Sequence, residues 1–428
     1  MARAALPISQ TFASLRLVNY RLWFAGALVS NVGAWIQRVG QDWLVLRELT
    51  DNSGLAAGVV TALQFTPFLF LSPWAGLLAD RLPRRRLLLA TQAGQGGLAI
   101  GLGALVWSGH CQLWHVFGFA FLLGCVTAFD APVRQVFVAE MVPSELLPNA
   151  VGLNSASFNS SRLIGPALAG LLIESFGTSW AFFLNAITYA ATIGALALMR
   201  RSELQPVASA PREKGQLRAG LAYVRGRPDL LLIFAVIFIV SMLGLNSQLT
   251  IALMATTVFH KEAGQFGLLS SIFAIGALLG ALNAARRTRP RLRLILATTV
   301  GFGLASAASA AMPTYWTFGL AGIFVGFATL TLITAANATI QITTPPELRG
   351  RVIALYMLVF QGATPIGSPV IGWIGQAWGA RWAIAVGGGA ALLAAGAALL
   401  WTRRHWRFTV QRGFPPHIVV VPCESGPR

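Results

Sequence analysis

Residues 143–180 read PSELLPNAVGLNSASFNSSRLIGPALAGLLIESFGTSW, and residues 345–382, 202 positions later, read PPELRGRVIALYMLVFQGATPIGSPVIGWIGQAWGARW. Without a gap, Pro143, Glu145 and Leu146 align with Pro345, Glu347 and Leu348, and Leu153 aligns with Leu355. Ile164 and Gly165 align with Ile366 and Gly367, Gly170 with Gly372, Gly177 with Gly379, and Trp180 with Trp382. Two Gly-rich apolar stretches can match by chance, but shared Trp, Pro and Glu argue for a true internal repeat. Each copy holds two apolar blocks, so the chain is expected to consist of two related halves.

Outward from this repeat, the whole chain has the composition of a membrane protein. Of its 428 residues, 55% are hydrophobic and 11% charged, with a mean hydropathy of +0.66. A soluble protein of this length needs far more charged surface. Apolar blocks are long enough to cross roughly 30 Å of hydrocarbon as helices. They fall at 22–46, 55–79, 87–107, 113–138, 148–173 and 177–199, then at 230–255, 264–285, 292–312, 315–341, 351–375 and 380–402. Strands of a closed barrel are short and alternating and do not give such blocks. The expected fold is all-α, with twelve transmembrane helices in two pseudo-symmetric six-helix bundles, 22–199 and 230–402. Residues 1–21 form a segment with no features of a cleavable signal, 200–229 an Arg- and Pro-rich linker, and 403–428 a flexible tail. Parallel halves of this kind place a binding site at their shared interface near the midplane.

The formal charge of +18 could suggest nucleic acid, but the positions of the basic residues read as orientation in a membrane. All of the 32 basic residues except Arg38, Arg47, Arg162, Lys261 and Arg381 fall on segments of one side if the N-terminus lies inside. That is the positive-inside bias of a protein with both termini in the cytoplasm, its basic loops meeting anionic lipid headgroups. Nucleic acid is not the expected partner. Cys111, Cys125 and Cys423 have no metal or disulfide spacing. Five histidines, His110, His115, His260, His405 and His417, show no triad or metal spacing, so neither an enzyme, a metal nor a cofactor is expected. The two lysines, Lys214 after Glu213 and Lys261 after His260, cannot serve a nucleotide-binding loop. ATP hydrolysis within this chain is thereby excluded as an energy source, which leaves a secondary transporter, a channel or a membrane subunit powered by a partner.

Between the second and third spans stands Gly76-Leu77-Leu78-Ala79-Asp80-Arg81-Leu82-Pro83-Arg84-Arg85. It resembles the cytoplasmic loop signature of the major facilitator superfamily, with Pro83 in place of the usual Gly. Gly76 allows close helix approach, Asp80 can bridge the seam between halves, and Arg81, Arg84 and Arg85 can latch onto carboxylates. In the second half Gly280 matches Gly76, but Ala284 stands where Asp80 would be, so the acidic latch exists once. The alternative is a basic loop that fixes topology only. On the fifth span, Gly152, Ser161, Gly165, Pro166 and Gly170 look like the fifth-helix motif of the superfamily's exporters. In them the motif is thought to seal the cavity; tight helix packing alone is the other reading. Asn19-Tyr20-Arg21-Leu22-Trp23, Gln37 to Leu44, Pro132 to Val138 and Asn149 to Asn154 resemble the branch of enterobactin exporters and macrolide efflux proteins.

Ionisable groups inside spans are functional candidates. Asn31, Trp35, Arg38 and Asp42 share one face of the first helix. Arg38 and Asp42 either neutralise one another, or Asp42 loads a proton. Asp130 lies four residues before Arg134, either as a local pair or, by resemblance, in a relay with Asp80 and Arg81. Arg162 has no acid nearby in sequence and must meet Asp42, Asp130, another partner across an interface, or an anionic substrate. Further polar positions, some of which are expected at a cavity, are Gln64, Asn159, Asn185, Asn246, Gln248, Asn337, Gln341 and Gln361, with Phe65, Phe234, Phe238 and Phe360 beside them.

The resemblance implies a multi-pass transporter of the bacterial inner membrane. It would export a siderophore- or drug-like amphipathic molecule by alternating access and proton antiport, as a monomer with small-molecule substrate, protons and lipids as partners. An importer or uncoupled facilitator, and a non-transporting scaffold, are the rival readings.

Overall fold

A computed structural model describes residues 11–205, 216–285, 292–411 and 417–422. Side chains are described within these ranges except at residues 72–73, 76–77, 79–81, 216–217, 285 and 403 onward. Helix α1 (Val18–Trp43) runs on through a π-turn, Leu44–Leu49. It is followed by α2 (Gly54–Arg81), α3 (Arg84–Trp107), α4 (Leu113–Met141), α5 (Leu147–Phe176) and α6 (Ser179–Leu198). The linker holds the short α7 (Gln216–Arg225). The second series comprises α8 (Pro228–Ile239) with the π-turn Val240–Gly244, α9 (Ser247–Leu253) with the π-turn Met254–Val258, and α10 (Ala263–Ala285). Then come α11 (Leu292–Ala311), α12 (Tyr315–Thr343), α13 (Pro346–Gly362), α14 (Thr364–Ala377) and α15 (Ala380–His405).

Among the described residues, 9 stretches are long and apolar enough to cross a membrane, Pro228–Val258 and Pro346–Ala377 each taken as one. Helices α1, α3 and α5 are as long, at 26, 24 and 30 residues, but carry more polar groups. Apart from a short strand pair near the C-terminus, the fold is an all-helical membrane fold.

Two spans expected to be continuous are broken. The one at 230–255 is interrupted at Leu245 and Asn246, where the Leu245 N–H bonds the Val240 carbonyl at 2.9 Å in a π register. Asn246 Nδ2 donates to the Met242 carbonyl at 2.8 Å, meeting a backbone acceptor beside the break. The span at 351–375 begins earlier, at Pro346, and is divided at Ala363, where Pro365 lacks the N–H that would continue the ladder. In the tail 403–428, α15 continues to His405 and Trp406–Gln411 pairs antiparallel with His417–Pro422, while residues 412–416 and 423–428 lie outside the described residues. The run Ile418-Val419-Val420-Val421 is β-branched, which suits an extended strand.

The repeat seen in the sequence has structural counterparts. Gly177 and Gly379, aligned at 202, adopt φ of 91° and 99° at the ends of α5 and α14, a region that glycine enters freely. Asn52 and His260 follow equivalent π-turns with φ of 55° and 48°. The Asn52 N–H reaches the Leu46 carbonyl at 2.9 Å, and the Lys261 N–H reaches the Ala255 carbonyl at 2.8 Å. This second pair of matches was invisible in the residue identities.

Within the first series α1 packs on α5 and α6, α3 on α4 and α6, and α2 on α4; in the second, α12 packs on α10 and α11, and α11 on α15. The series meet along two seams, α14 on α2 and α10 on α5. Backbone approach there is very close. A Cβ on Gly372 would stand 2.1 Å from the Gly54 carbonyl, and one on Gly58 would stand 2.3 Å from that of Ser368. On the other seam, a Cβ on Gly170 would stand 2.5 Å from the Ala263 carbonyl, and one on Gly267 would stand 2.1 Å from that of Pro166. Pro166 and Ser368, like Gly170 and Gly372, are aligned by the repeat. Ser368 Oγ donates to the Gly58 carbonyl at 3.0 Å and Ser271 Oγ to the Leu163 carbonyl at 2.6 Å. Gln376 Oε1 accepts from Ser53 Oγ at 2.8 Å and from the Leu55 N–H at 3.2 Å. All these contacts gather toward one end of the molecule. Large apolar side chains are exposed at both ends, Phe70, Trp74, Val151, Phe158, Leu279 and Leu282 away from the seam and Leu171, Trp180, Trp373 and Trp382 beside it.

Candidate functional site

Behind the glycine contacts lies a cavity of about 210 Å³ shared by both series. Trp35 and Arg38 of α1, Thr61 and Phe65 of α2 and Arg162 of α5 form one wall. The other wall holds Ser241, Leu245, Asn246, Ser247, Gln248 and Leu249 around the first helix break, and Phe360, Gln361 and Thr364 around the second. Both breaks therefore face the cavity, the one place in a bilayer where irregular backbone can be satisfied.

The first wall is cationic. The Arg38 guanidinium lies 5.9 Å from the Trp35 ring and 5.7 Å from the Phe65 ring, and that of Arg162 lies 5.8 Å from the same Trp35. The two guanidiniums are within electrostatic reach of each other. Trp35 is seated by α5, because a Cβ on Gly165 would fall 2.5 Å from its Cβ. Neither arginine has a hydrogen bond or an ion pair among the described residues. Arg38 does not form the expected bridge to Asp42, although the two charges are close enough to interact. Asp42 itself is buried, and its Oδ2 has no hydrogen-bond partner. Gln248 stands opposite, near enough to act on the Asp42 carboxyl, with its Nε2 outside hydrogen-bond geometry.

Asp130 is held away from this cavity. It accepts from Thr91 Oγ1 at 2.7 Å, from Gln92 Nε2 at 2.8 Å and from Arg134 Nε at 3.1 Å. Arg134 in turn lies 5.4 Å from the Trp23 ring. The local pair is thus present, and Arg162 pairs with neither Asp130 nor Asp42. Of the loop signature, Gly76, Asp80 and Arg81 lie outside the residues whose side chains are described. Arg84 bridges to Glu140 at the end of α4. Arg85 donates to the carbonyls of Leu196 at 2.6 Å and Ala197 at 3.2 Å, capping α6.

Other expected site residues divide. Trp35, Asn246 and Gln361 line the cavity. Asn337 and Gln341 line a second cavity of about 390 Å³ along α12 and bond each other. Asn31 instead bonds Ser157 at 3.4 Å, Asn159 bonds the Ser155 carbonyl of its own helix at 2.8 Å, and Asn185 Nδ2 donates to Gln37 Oε1 at 2.5 Å. Phe234 packs edge-on against Tyr356, and Gln64 and Phe238 are not among the lining residues. In the fifth-helix motif, Ser161 Oγ bonds the Ser157 and Leu28 carbonyls at 2.9 and 3.3 Å. Gly165 meets α1, Pro166 and Gly170 meet α10, and Gly152 meets nothing. Thr61, Ser241, Leu245, Ser247, Leu249 and Thr364 were missed. The cues for the last were Pro365 and its alignment with Arg162.

Residues 9–409 match the family model described as transmembrane secretion effector. An uncharacterized MFS-type transporter, YfiS, of Bacillus subtilis is 26% identical over 88% of this chain and 89% of its own length. The multidrug efflux pump Tap of Mycobacterium tuberculosis is 25% identical over 79% and 83%, and macrolide efflux protein A of Streptococcus pyogenes 23% over 84% and 89%. A staphyloferrin A transporter of Staphylococcus aureus is 25% identical over 61% and 66%. Among solved structures, the nucleoside transporter NupG superposes with a TM-score of 0.68 at 12% identity, over 89% of this chain and 98% of that one. A bacterial homologue of the lysosomal transporter Spinster, inward-facing and unoccupied, also scores 0.68, at 14% identity over 93% and 98%.

Proposed function

This chain belongs to the transmembrane secretion effector family, whose relatives are major facilitator transporters and not enzymes, and on that premise we propose that it exports a small amphipathic molecule by alternating access. Twelve spans form two six-helix halves, 22–199 and 230–402, joined by the linker 200–229. The observation that carries this reading is the paired seam: equivalent residues of both copies close one end over a cavity built from both. Small residues on both sides let such a seam close without repacking, and two rigid halves can tilt about it.

The basic residues supply the orientation. Arg84, Arg85 and Arg134 lie at the end away from the seal, so that end faces the cytoplasm and the sealed end faces outward. The cavity is then open to the inside, where cargo enters, and both termini are cytoplasmic. The chain acts as a monomer in the bacterial inner membrane.

With no nucleotide site in the chain, protons returning inward drive the cycle, and Asp42 is the acid that carries them. It is buried beside the cavity and lacks a partner for Oδ2. In inverted vesicles, uptake of drug or siderophore should depend on the imposed pH gradient, and Asp42→Asn should remove that dependence. Uptake that survives collapse of the gradient sinks the coupling; cargo movement only in the opposite direction makes the protein an importer.

A further inference from the structure

We propose that the cavity takes an organic anion: a flat apolar body carrying a carboxylate or similar group that sits between Arg38 and Arg162. The assignment rests on the transport reading for the claim that the cavity holds cargo. The charge argument is independent of direction and coupling.

The lining contains two guanidiniums and no carboxylate. Both crowd onto Trp35, and neither has a hydrogen-bond or ion-pair partner among the described residues. Two cations held together inside a bilayer are costly unless an anion answers them. Asp42, the acid within reach of Arg38, can offset at most one of the two, and it forms no bridge to it. A second site for negative charge is left over.

Shape points the same way. A guanidinium presents a planar fork that grips a carboxylate with two parallel hydrogen bonds, and its stacking on an aromatic ring fixes the plane of that fork. Phe65 and Phe360 face the same space from opposite walls and can hold a flat ring between them. The second wall contributes the amides of Asn246, Gln248 and Gln361, which add polar contacts but no charge. A cationic cargo would find the Trp35 ring already taken by arginine and would meet two like charges. The relatives named for macrolides and drugs need not share this preference, because the preference follows from Arg38 and Arg162 of this chain.

Three probes with one ring system and different charge test this. Dansylglycine is an anion, dansylamide is neutral and dansylcadaverine is a cation, and their fluorescence reports binding to the purified full chain in detergent. Dansylglycine should bind roughly tenfold more tightly than dansylamide, with dansylcadaverine weakest. Arg162→Gln should erase the anion preference while changing dansylamide affinity less than about twofold, and Arg162→Lys should keep part of it. Equal affinities, preference for the amine, no saturable binding, or an Arg162→Gln variant that weakens all three alike overturns the proposal. If Arg162→Gln does not fold, the wild-type order and Arg162→Lys still decide. Anion preference without transport in inverted vesicles would sink the exporter reading and leave the site standing; transport with a cation preference would do the reverse.

Discussion

Residues related by the 202-residue repeat behave differently at the two levels of the molecule. At the seam they do the same job: Gly170 lies against the Ala263 carbonyl as Gly372 lies against that of Gly54, and Pro166 and Ser368 face Gly267 and Gly58. At the cavity they have parted, Arg162 in one copy standing where Thr364 stands in the other, although both line the same space. Closure is a matter of backbone shape and constrains both copies equally. Recognition needs chemistry on one side only, so the copies were free to diverge there.

The largest effect on transport is expected at the seam. Gly170→Val and Gly372→Val each push a branched side chain into a facing carbonyl, an overpacking of roughly 1–3 kcal/mol in the sealed state. Both should reduce drug or siderophore efflux from cells to background, with expression unchanged. If one variant is silent, the two seams are not equivalent.

Charge ties at the other end come next. Glu140→Gln replaces a charge-assisted contact to the mostly buried Arg84 with a neutral one, and thermal unfolding of the purified protein should show a loss of about 2 kcal/mol. Stability unchanged within about 0.5 kcal/mol would mean that the bridge is not retained in the membrane protein.

At the cavity, Arg162→Thr makes the first copy resemble the second. Losing a charged hydrogen-bond donor should weaken binding of an anionic cargo by roughly 1.5–3 kcal/mol, read by titration. Adding Thr364→Arg to that variant returns a guanidinium from the opposite wall and should recover part of the affinity. Recovery to the full value would show that the wall carrying the charge is immaterial; no recovery would show that Trp35 must present it.

Smallest is the cross-seam pair Arg47 and Glu262, 3.9 Å apart and well exposed. Glu262→Gln should change stability by no more than about 0.5 kcal/mol. A larger loss would mean that charge as well as glycine holds the seam shut.

Much of this was legible in the chain. Gly165, Gly170, Gly367 and Gly372 declared themselves because helix contact selects small residues at fixed spacing, and a gapless repeat preserves that spacing. Trp35, Arg38 and Arg162 stood out because charge and indole are rare in apolar helices. What stayed hidden depends on three-dimensional partners. The breaks at Leu245 and Ala363 lie in stretches whose hydropathy reads as continuous, and their backbone is stable only because a cavity and neighbouring helices meet it. Arg38 and Asp42 have the spacing of a helical pair but do not join, since spacing permits contact without fixing the rotamers. Asn31 and Asn159 resembled cavity residues in composition, yet their amides bond Ser157 and the Ser155 carbonyl.

The central claim is that the two ends of the seam open in alternation. Spin labels at Val151 and Leu282 report the open end, and labels at the repeat-related Trp180 and Trp382 report the sealed end, in a background with Cys111, Cys125 and Cys423 replaced by alanine. Pulsed dipolar distances measured in nanodiscs without and with cargo should shorten for the first pair and lengthen for the second. Distances that stay fixed, or that change in the same direction at both ends, would contradict the account.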